Sequence, residues 1–366
     1  MKILFCTNVF QIVENGPVKF AQSLVAAYAR FPQHEIRVLS EDLATEKPGF
    51  HKVHLPKLGA QSPFSQFLRM WMYHQKAMEI RKRYAFDVLV YNHALVGLLS
   101  VFRFPSTIVM LNDYKNVDGT LSRLRLSRTW LKRFIFRIAE SVTLRRANKI
   151  IVNSEYLKNR IIQDYSLDPG KVFRIYKGVE RIEAPTLHTA LHQPLRVLFV
   201  KNDYLTGGLP VLIKALSRLG IDIELGVAGT DDRADRAIRR LIPTDATVTL
   251  LLFHKVTPEV VREKMRWCDI FCVPSRKESL GLANLEAMAT CRPVISTHVG
   301  GIPEVLDYGK CGWMVPPGNV EALIKAFQMC ITDSNLRNEK VRYALQHVQH
   351  FSHEEMLSQF FRLCEQ

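Results

Sequence analysis

Two carboxylates, Glu278 and Glu286, stand eight residues apart on either side of Gly281, inside the run Pro274-Ser275-Arg276-Lys277-Glu278-Ser279-Leu280-Gly281-Leu282-Ala283-Asn284-Leu285-Glu286-Ala287-Met288-Ala289. A short apolar stretch precedes the run and strong helix formers close it, so a strand, a tight turn and a helix N-terminus are expected there. That junction attracts anions, because unpaired N–H groups and the positive end of the helix dipole point out of it. An ionised carboxylate only accepts hydrogen bonds, and it suits vicinal hydroxyls. A bare phosphate would be badly placed between two of them. A ligand whose diphosphate lies between two hydroxyl-rich ends fits, and the ribose, diphosphate and hexose of a nucleotide-sugar have that layout. As an isolated pair, the two glutamates could equally be helix-start residues complementing the dipole.

The elements that would hold these residues can be read from hydrophobic periodicity. In the first half, strand-like runs at 2–7, 35–40, 87–91, 107–111 and 149–152 alternate with helix-period segments at 17–30, 66–83, 121–146 and 155–164. In the second half, strands are expected at 196–200, 221–228, 247–252, 270–274, 293–296 and 313–315, with helices starting near 208, 231, 257, 282, 303 and 320. Alternation of this kind predicts doubly wound parallel sheets. It breaks at 181–194, where Pro185, Pro194 and two histidines interrupt any apolar period, and a linker is expected there. Domains of 1–180 and 195–350 follow. Ser352 and Glu355 have capping-box spacing and open a final helix within 351–366.

A chain of 366 residues with 47% hydrophobic and 23% charged content is globular and long enough for two domains. It has no apolar run of the roughly 18 residues that a membrane-spanning helix needs. The apolar stretch after Met1 is too short for a signal peptide and reads as a buried strand, so a cytoplasmic location is expected. Seven cysteines, an odd number set mostly in apolar segments, predict reduced core thiols. Cys268 and Cys272 lack the second pair or histidine cluster of a metal site, and no Asp-x-Asp occurs, so no metal and no cofactor are expected. The net charge of +15 favours polyanionic surfaces. Twelve Lys and Arg against three Asp and Glu fall between Lys115 and Arg160. Nucleic acid is not an expected partner, because neither a recognition-helix motif nor a sheet-face aromatic pattern is present.

The run around Glu278 resembles the donor-site signature of retaining glycosyltransferases of family four, which have the GT-B fold. Glu278, Gly281, Glu286, Ala287-Met288-Ala289, Pro293-Val294-Ile295, Gly300-Gly301-Ile302-Pro303-Glu304-Val305 and Gly312-Trp313-Met314-Val315-Pro316 all keep that family's offsets. The resemblance implies two Rossmann-like doubly wound parallel-sheet domains facing across a cleft. The N-terminal domain would take the acceptor and be completed by the final helix, and the C-terminal domain would take the nucleotide-sugar. The implied reaction is metal-independent transfer of a hexose, most simply from a UDP-sugar, to a glycan or lipid-linked glycan in surface polysaccharide or lipopolysaccharide synthesis.

The resemblance also implies roles. Glu278 would accept from a donor-sugar hydroxyl and serve as the catalytic residue, while Glu286 would take the ribose hydroxyls. The N–H groups of Gly281 and Leu282 would meet the β-phosphate. Gly16, in the Asn15-Gly16-Pro17 loop, would make a second phosphate contact. The widest departure is the loop from Lys201 to Gly208: the family's phosphate-clamp lysine is replaced by Gly207, and Lys201 stands where a glycine is usual. Lys201, Asn202 and Lys277 are therefore donor-site candidates, with Arg276 and Lys177 as further cations. Losing the clamp without replacement would cost orders of magnitude in rate, which leaves a catalytically degenerate binding protein as the alternative. Cys291 replaces another usual glycine. On the acceptor side, Asn112 occupies the place of a family histidine, with Asp113 beside it and His93 after the preceding strand. The basic stretch 123–146 carries apolar residues at helical spacing. It is either an ordinary buried stripe or a helix whose basic rim meets an anionic membrane surface, making the protein peripheral on the inner face of the membrane.

Overall fold

The computed structural model describes residues 1–11, 16–26, 31, 33–56, 63–113, 128–180, 190–244 and 246–366. The chain divides into two compact units, one of Met1–Lys177 with Met356–Gln366 and one of Gly178–Glu355. The first contains β1 (Lys2–Thr7), α1 (Gly16–Ala26), β2 (Glu35–Ser40), β3 (Phe50–Lys52), α2 (Pro63–Arg83), β4 (Val88–Tyr91), β5 (Thr107–Leu111), α3 (Arg128–Arg146), β6 (Lys149–Val152), α4 (Glu155–Tyr165) and β7 (Val172–Arg174). The second contains β8 (Leu195–Val200), α5 (Leu209–Leu216), β9 (Ile223–Ala228), α6 (Asp235–Arg239), β10 (Val248–His254), α7 (Pro258–Trp267), β11 (Ile270–Val273), α8 (Leu282–Ala289), β12 (Val294–Thr297), α9 (Ile302–Val305), β13 (Trp313–Val315), α10 (Val320–Thr332) and α11 (Ser334–His347). Helix α12 (His353–Glu365) starts at the end of the second unit, and its residues from Met356 onward belong to the first.

Both sheets are parallel throughout, seven strands in the order β3-β2-β1-β4-β5-β6-β7 and six in the order β10-β9-β8-β11-β12-β13. Parallel strands covered by helices on both faces must be apolar on both, and β4 and β5 are buried along their whole length. The period of two sorts β1 between two cores. Leu4 and Cys6 pack with Tyr73 and Ala77 of α2 and with Leu157 and Ile161 of α4. Ile3 and Phe5 pack with Phe20 and Leu24 of α1 and with Met356, Phe360 and Phe361 of α12.

The sequence pattern missed β3 and β7, three-residue strands at the two edges of the first sheet, where FHK and VFR are too short to alternate. It also missed α11, whose buried Arg337, Val341 and Ala344 are spread among polar residues. Residues 181–189 of the expected linker and 121–127 of the expected basic helix lie outside the described residues. Within α3, Phe136, Ala139 and Leu144 are buried while Phe134 and Ile138 stand exposed, so its apolar residues are shared between two faces. All seven cysteines are free and buried. Among the described residues, no helix is long and apolar enough to cross a membrane.

Candidate functional site

In the second sheet the strand order reverses at β8, which has β9 on one side and β11 on the other. Ligands of doubly wound sheets sit beyond the strands' carboxyl ends at such a reversal. Two loops emerge there, 201–208 after β8 and 274–281 after β11, and they are tied together. The Arg276 N–H donates to the Thr206 carbonyl at 2.8 Å. Gly208, at φ +79°, lies so close to the second loop that a Cβ would fall 2.1 Å from the Pro274 carbonyl oxygen. The Lys201 ammonium donates to the Glu278 carboxylate across the junction, each side chain about a fifth exposed. The Ser279 N–H donates to the other oxygen of Glu278 at 3.1 Å.

Local packing explains why the cation stands at Lys201. A Cβ on Gly207 would lie 2.5 Å from Cζ of Phe199 and 2.9 Å from Cγ of Lys201. The space that a side chain at 207 would need is therefore filled by the Phe199 ring together with the lysine stem. The Asp203 carboxylate fixes the rest of the loop by accepting from the Thr206 hydroxyl at 2.6 Å and from the Leu205 and Thr206 N–H groups, and these bonds hold its pKa below the ordinary carboxylate value. Asn202 is exposed, and its side-chain oxygen would lie 3.0 Å from a Cβ added to Gly229.

Gly281 caps α8 at φ +99° with no side-chain cap, and the Asn284 N–H closes back on the Gly281 carbonyl at 2.9 Å, so the N–H groups of Leu282 and Ala283 are the first-turn donors left for a ligand. Glu286 lies half-buried just over one turn into α8, and Lys277 is half-buried beside Glu278. The backbone of Glu278 is held by a glycine whose role the sequence did not disclose. Gly300 has φ +59°, and a Cβ there would fall 1.6 Å from the Glu278 carbonyl oxygen. Two hydroxyls brace the loop from β12, with Thr297 donating to the Ser275 carbonyl at 2.6 Å and Ser296 to that of Val273 at 2.8 Å. Cys291 has φ +58°, which explains the glycine usual at this turn. Among the described residues, no group of three or more His, Cys, Asp or Glu side chains could hold a metal ion.

The first sheet reverses at β1, between β2 and β4, and its carboxyl edge carries a chain of amides. The Asn92 amide donates to the Thr7 hydroxyl at 3.2 Å, Asn112 donates to the Asn92 carbonyl at 2.7 Å, and Asn153 donates to the Asn112 carbonyl at 3.0 Å. Asn112 thus has its amide engaged within the protein. Asp113 and His93 stand exposed at the same edge. Thr7, Asn92 and Asn153 were missed; each ends or directly follows a strand, a position that the sequence alone cannot tell from an ordinary turn. Gly16 begins α1, and Asn15 before it lies outside the described residues. Lys177 belongs to this unit and not to the one that holds Lys201. Its Nζ lies 4.3 Å from the centre of the Phe20 ring without a hydrogen-bond partner, and burial pushes the amine down to about 7.

Two parallel sheets of this order, each ending in a loop cluster at its reversal, define the GT-B class of fold. Structures of that class superpose along the whole chain. One is WaaG, a glycosyltransferase involved in lipopolysaccharide biosynthesis, with a TM-score of 0.74, 15% identity and 98% of each chain covered. Another is Anabaena HepE in complex with UDP and glucose, with a TM-score of 0.72, 18% identity, and 100% of this chain and 99% of that one covered. These identities speak for the fold alone. In sequence, residues 187–347 match Glycosyl transferases group 1, and residues 15–181 match Glycosyltransferase Family 4. The chain belongs to this glycosyltransferase family. A curated relative, the uncharacterized glycosyltransferase MJ1178 of Methanocaldococcus jannaschii, is 26% identical over 215 residues, 56% of this chain and 54% of that protein. The chain spans about half the length of the curated relatives it matches.

Proposed function

We infer that the protein transfers a hexose from a UDP-sugar to a hydroxyl of a glycan or lipid-linked glycan, retaining the anomeric configuration and needing no metal. The observation that carries this reading is the Lys201–Glu278 ion pair at the strand-order reversal, beside the open N-terminus of α8. It brings a cation, a carboxylate and outward N–H groups around one point, as a diphosphate linked to a sugar requires. Glu278 takes a hydroxyl of the donor sugar, Glu286 the ribose hydroxyls, and the Gly281 and Leu282 N–H groups the β-phosphate. Lys201 carries the charge that develops on the departing diphosphate, where electrostatic stabilisation counts most. The bond between the sugar and the phosphate oxygen breaks, the acceptor oxygen bonds to the same face, and the acceptor proton passes to the leaving phosphate. The amide edge of the first sheet, with His93 and Asp113 exposed beside Asn112, receives the acceptor.

HepE, solved with UDP and glucose, supports the donor class, and WaaG, a glycosyltransferase involved in lipopolysaccharide biosynthesis, supports a surface-glycan acceptor. Calorimetry with UDP-hexoses tests the site. Replacing Glu286 by Gln removes a charged acceptor and is expected to weaken binding about tenfold; unchanged binding would refute the ribose role. A thermal-shift screen against UDP-, GDP-, ADP- and dTDP-sugars identifies the donor. Transfer from any of them excludes a degenerate binding protein.

A further inference from the structure

Strands β1, β4, β5, β6 and β7 are consecutive in the first sheet, and a polar residue stands at or just past the carboxyl end of each. Thr7, Asn92, Asn112, Asn153 and Lys177 each lie two positions beyond an apolar member of the core that packs against α1 and α12. The period of two therefore carries all five onto the same face, in one row along the carboxyl edge. Hydrogen bonds fill the row from one end, with the amides of Asn92, Asn112 and Asn153 each donating to the preceding member. At the other end the bonding stops. The Asn153 NH2 group faces the Asn112 carbonyl, so its Oδ1 is the atom left over, and that atom is buried without a donor. The next member is Lys177, whose Nζ is buried without an acceptor. Their strands are neighbours: Val152 lies opposite Arg174, and the Ile175 N–H extends the ladder by donating to the Val152 carbonyl at 2.9 Å.

Asn153 is 7% exposed and Lys177 5%. A polar atom buried this deeply costs free energy until it is paired, and a buried charge costs more. Burial alone pushes the Lys177 amine down to about 7, with no neighbouring charge contributing. The two groups ask for opposite things. The Asn153 oxygen takes a hydroxyl proton, and the lysine, once protonated, takes an anion. A bare anion would meet the Asn153 oxygen with repulsion, and a neutral sugar would leave the ammonium without a counter-charge. A sugar with an acidic substituent supplies both in one residue. We propose that this end of the row receives an acidic sugar of the acceptor, one hydroxyl donating to Oδ1 of Asn153 and the anionic group, carboxylate or phosphate, accepting from Nζ of Lys177. The two side chains are then the specificity-determining residues for the acceptor. The ligand arrives from the carboxyl edge, where doubly wound sheets bind, and Lys177 gains its proton as the anion settles. This step rests on the reading of the amide edge as the acceptor site and names the chemical class that the site takes.

The test is calorimetry of the full chain at pH 8 with methyl glucuronide, glucose-6-phosphate and methyl glucoside, in two buffers of different ionisation enthalpy. At least one acidic sugar should bind about tenfold or more tighter than the glucoside and take up about one proton per ligand. Whichever acid binds tells whether the anion is a carboxylate or a phosphate. Lys177→Met should lose both the preference and the proton uptake while melting no lower than the wild type. Asn153→Asp sets a carboxylate in the row next to Lys177, and it should weaken the acidic sugars about tenfold or more. Equal binding of acidic and neutral sugars overturns the proposal and leaves water as the partner of these two groups. So does a preference that survives Lys177→Met. UDP-hexose calorimetry on the wild type separates the two readings. Donor binding with no preference for acidic sugars sinks this proposal alone, and acidic-sugar binding without donor binding sinks the transferase reading alone.

Discussion

At the scale of single residues, the site turns on an exchange of seats. Gly207 and Lys201 hold the reverse of the residues that the family pattern places there, and the Phe199 ring and the lysine stem together occupy the volume that a side chain at 207 would need. Lys201→Met is expected to weaken UDP binding by about tenfold to a hundredfold in calorimetry, the loss of one charge-assisted bond to phosphate. Restoring the family order, Lys201→Gly with Gly207→Lys, should recover more affinity than Lys201→Gly retains. Gly207→Lys alone should cost about 1–3 kcal/mol of stability by overpacking against Phe199 and Lys201. The sequence revealed the missing lysine and offered Lys201 as one of several candidate cations, but it did not single Lys201 out, because the contacts that link positions 201, 207 and 278 exist only once the loop is folded. Lys177 gives a pH signature. Its folded pKa of about 7 lies below the ordinary value of 10.5, so between those pH values the unfolded chain holds a proton that the folded protein lacks. Stability from this group therefore rises with pH across that window and its penalty is largest below it. Lys177→Met should raise the melting temperature at pH 6.5, and the gain should shrink by pH 9.

Elements position the carboxylates through backbone contacts, and two of those contacts tolerate only glycine. At Gly300 a Cβ would overlap the Glu278 carbonyl, and at Gly208 it would overlap that of Pro274, both at positive φ. Gly300→Ala must push the 274–281 loop away. We expect a loss of about 3 kcal/mol or more in denaturant unfolding, together with weakened UDP-sugar binding. Gly318→Ala is the control. Its φ is +77° but a Cβ would meet open space, so it should cost about 1 kcal/mol and leave binding alone. The strand–turn–helix holding Glu278 and Glu286 was legible because its glycine and helix formers follow a buried strand closely. Gly300 was visible as part of a family match yet carried no role, since it acts on a residue more than twenty positions earlier. The amide chain from Thr7 to Asn153 was illegible for a related reason: its members come from four separate strands and meet only at the edge of the sheet.

For the molecule as a whole, the order of the chain and the order of its cores differ. The last helix supplies Met356, Leu357, Phe360 and Phe361 to the core that begins with Ile3 and Phe5. Burying a large apolar side chain is worth about 1.5–3 kcal/mol, so these four alone approach the whole stability of an ordinary domain. Removing residues 353–366 should therefore leave Met1–Lys177 open to limited proteolysis while Gly178–Ser352 stays resistant. The distribution of sulfur makes such partial collapse countable. Cys6 and Cys364 lie in the first unit, and Cys268, Cys272, Cys291, Cys311 and Cys330 lie in the second, every one shielded in the native fold. An alkylating reagent added under mild denaturation would thus leave a mass increment of two adducts or five, according to which half has melted.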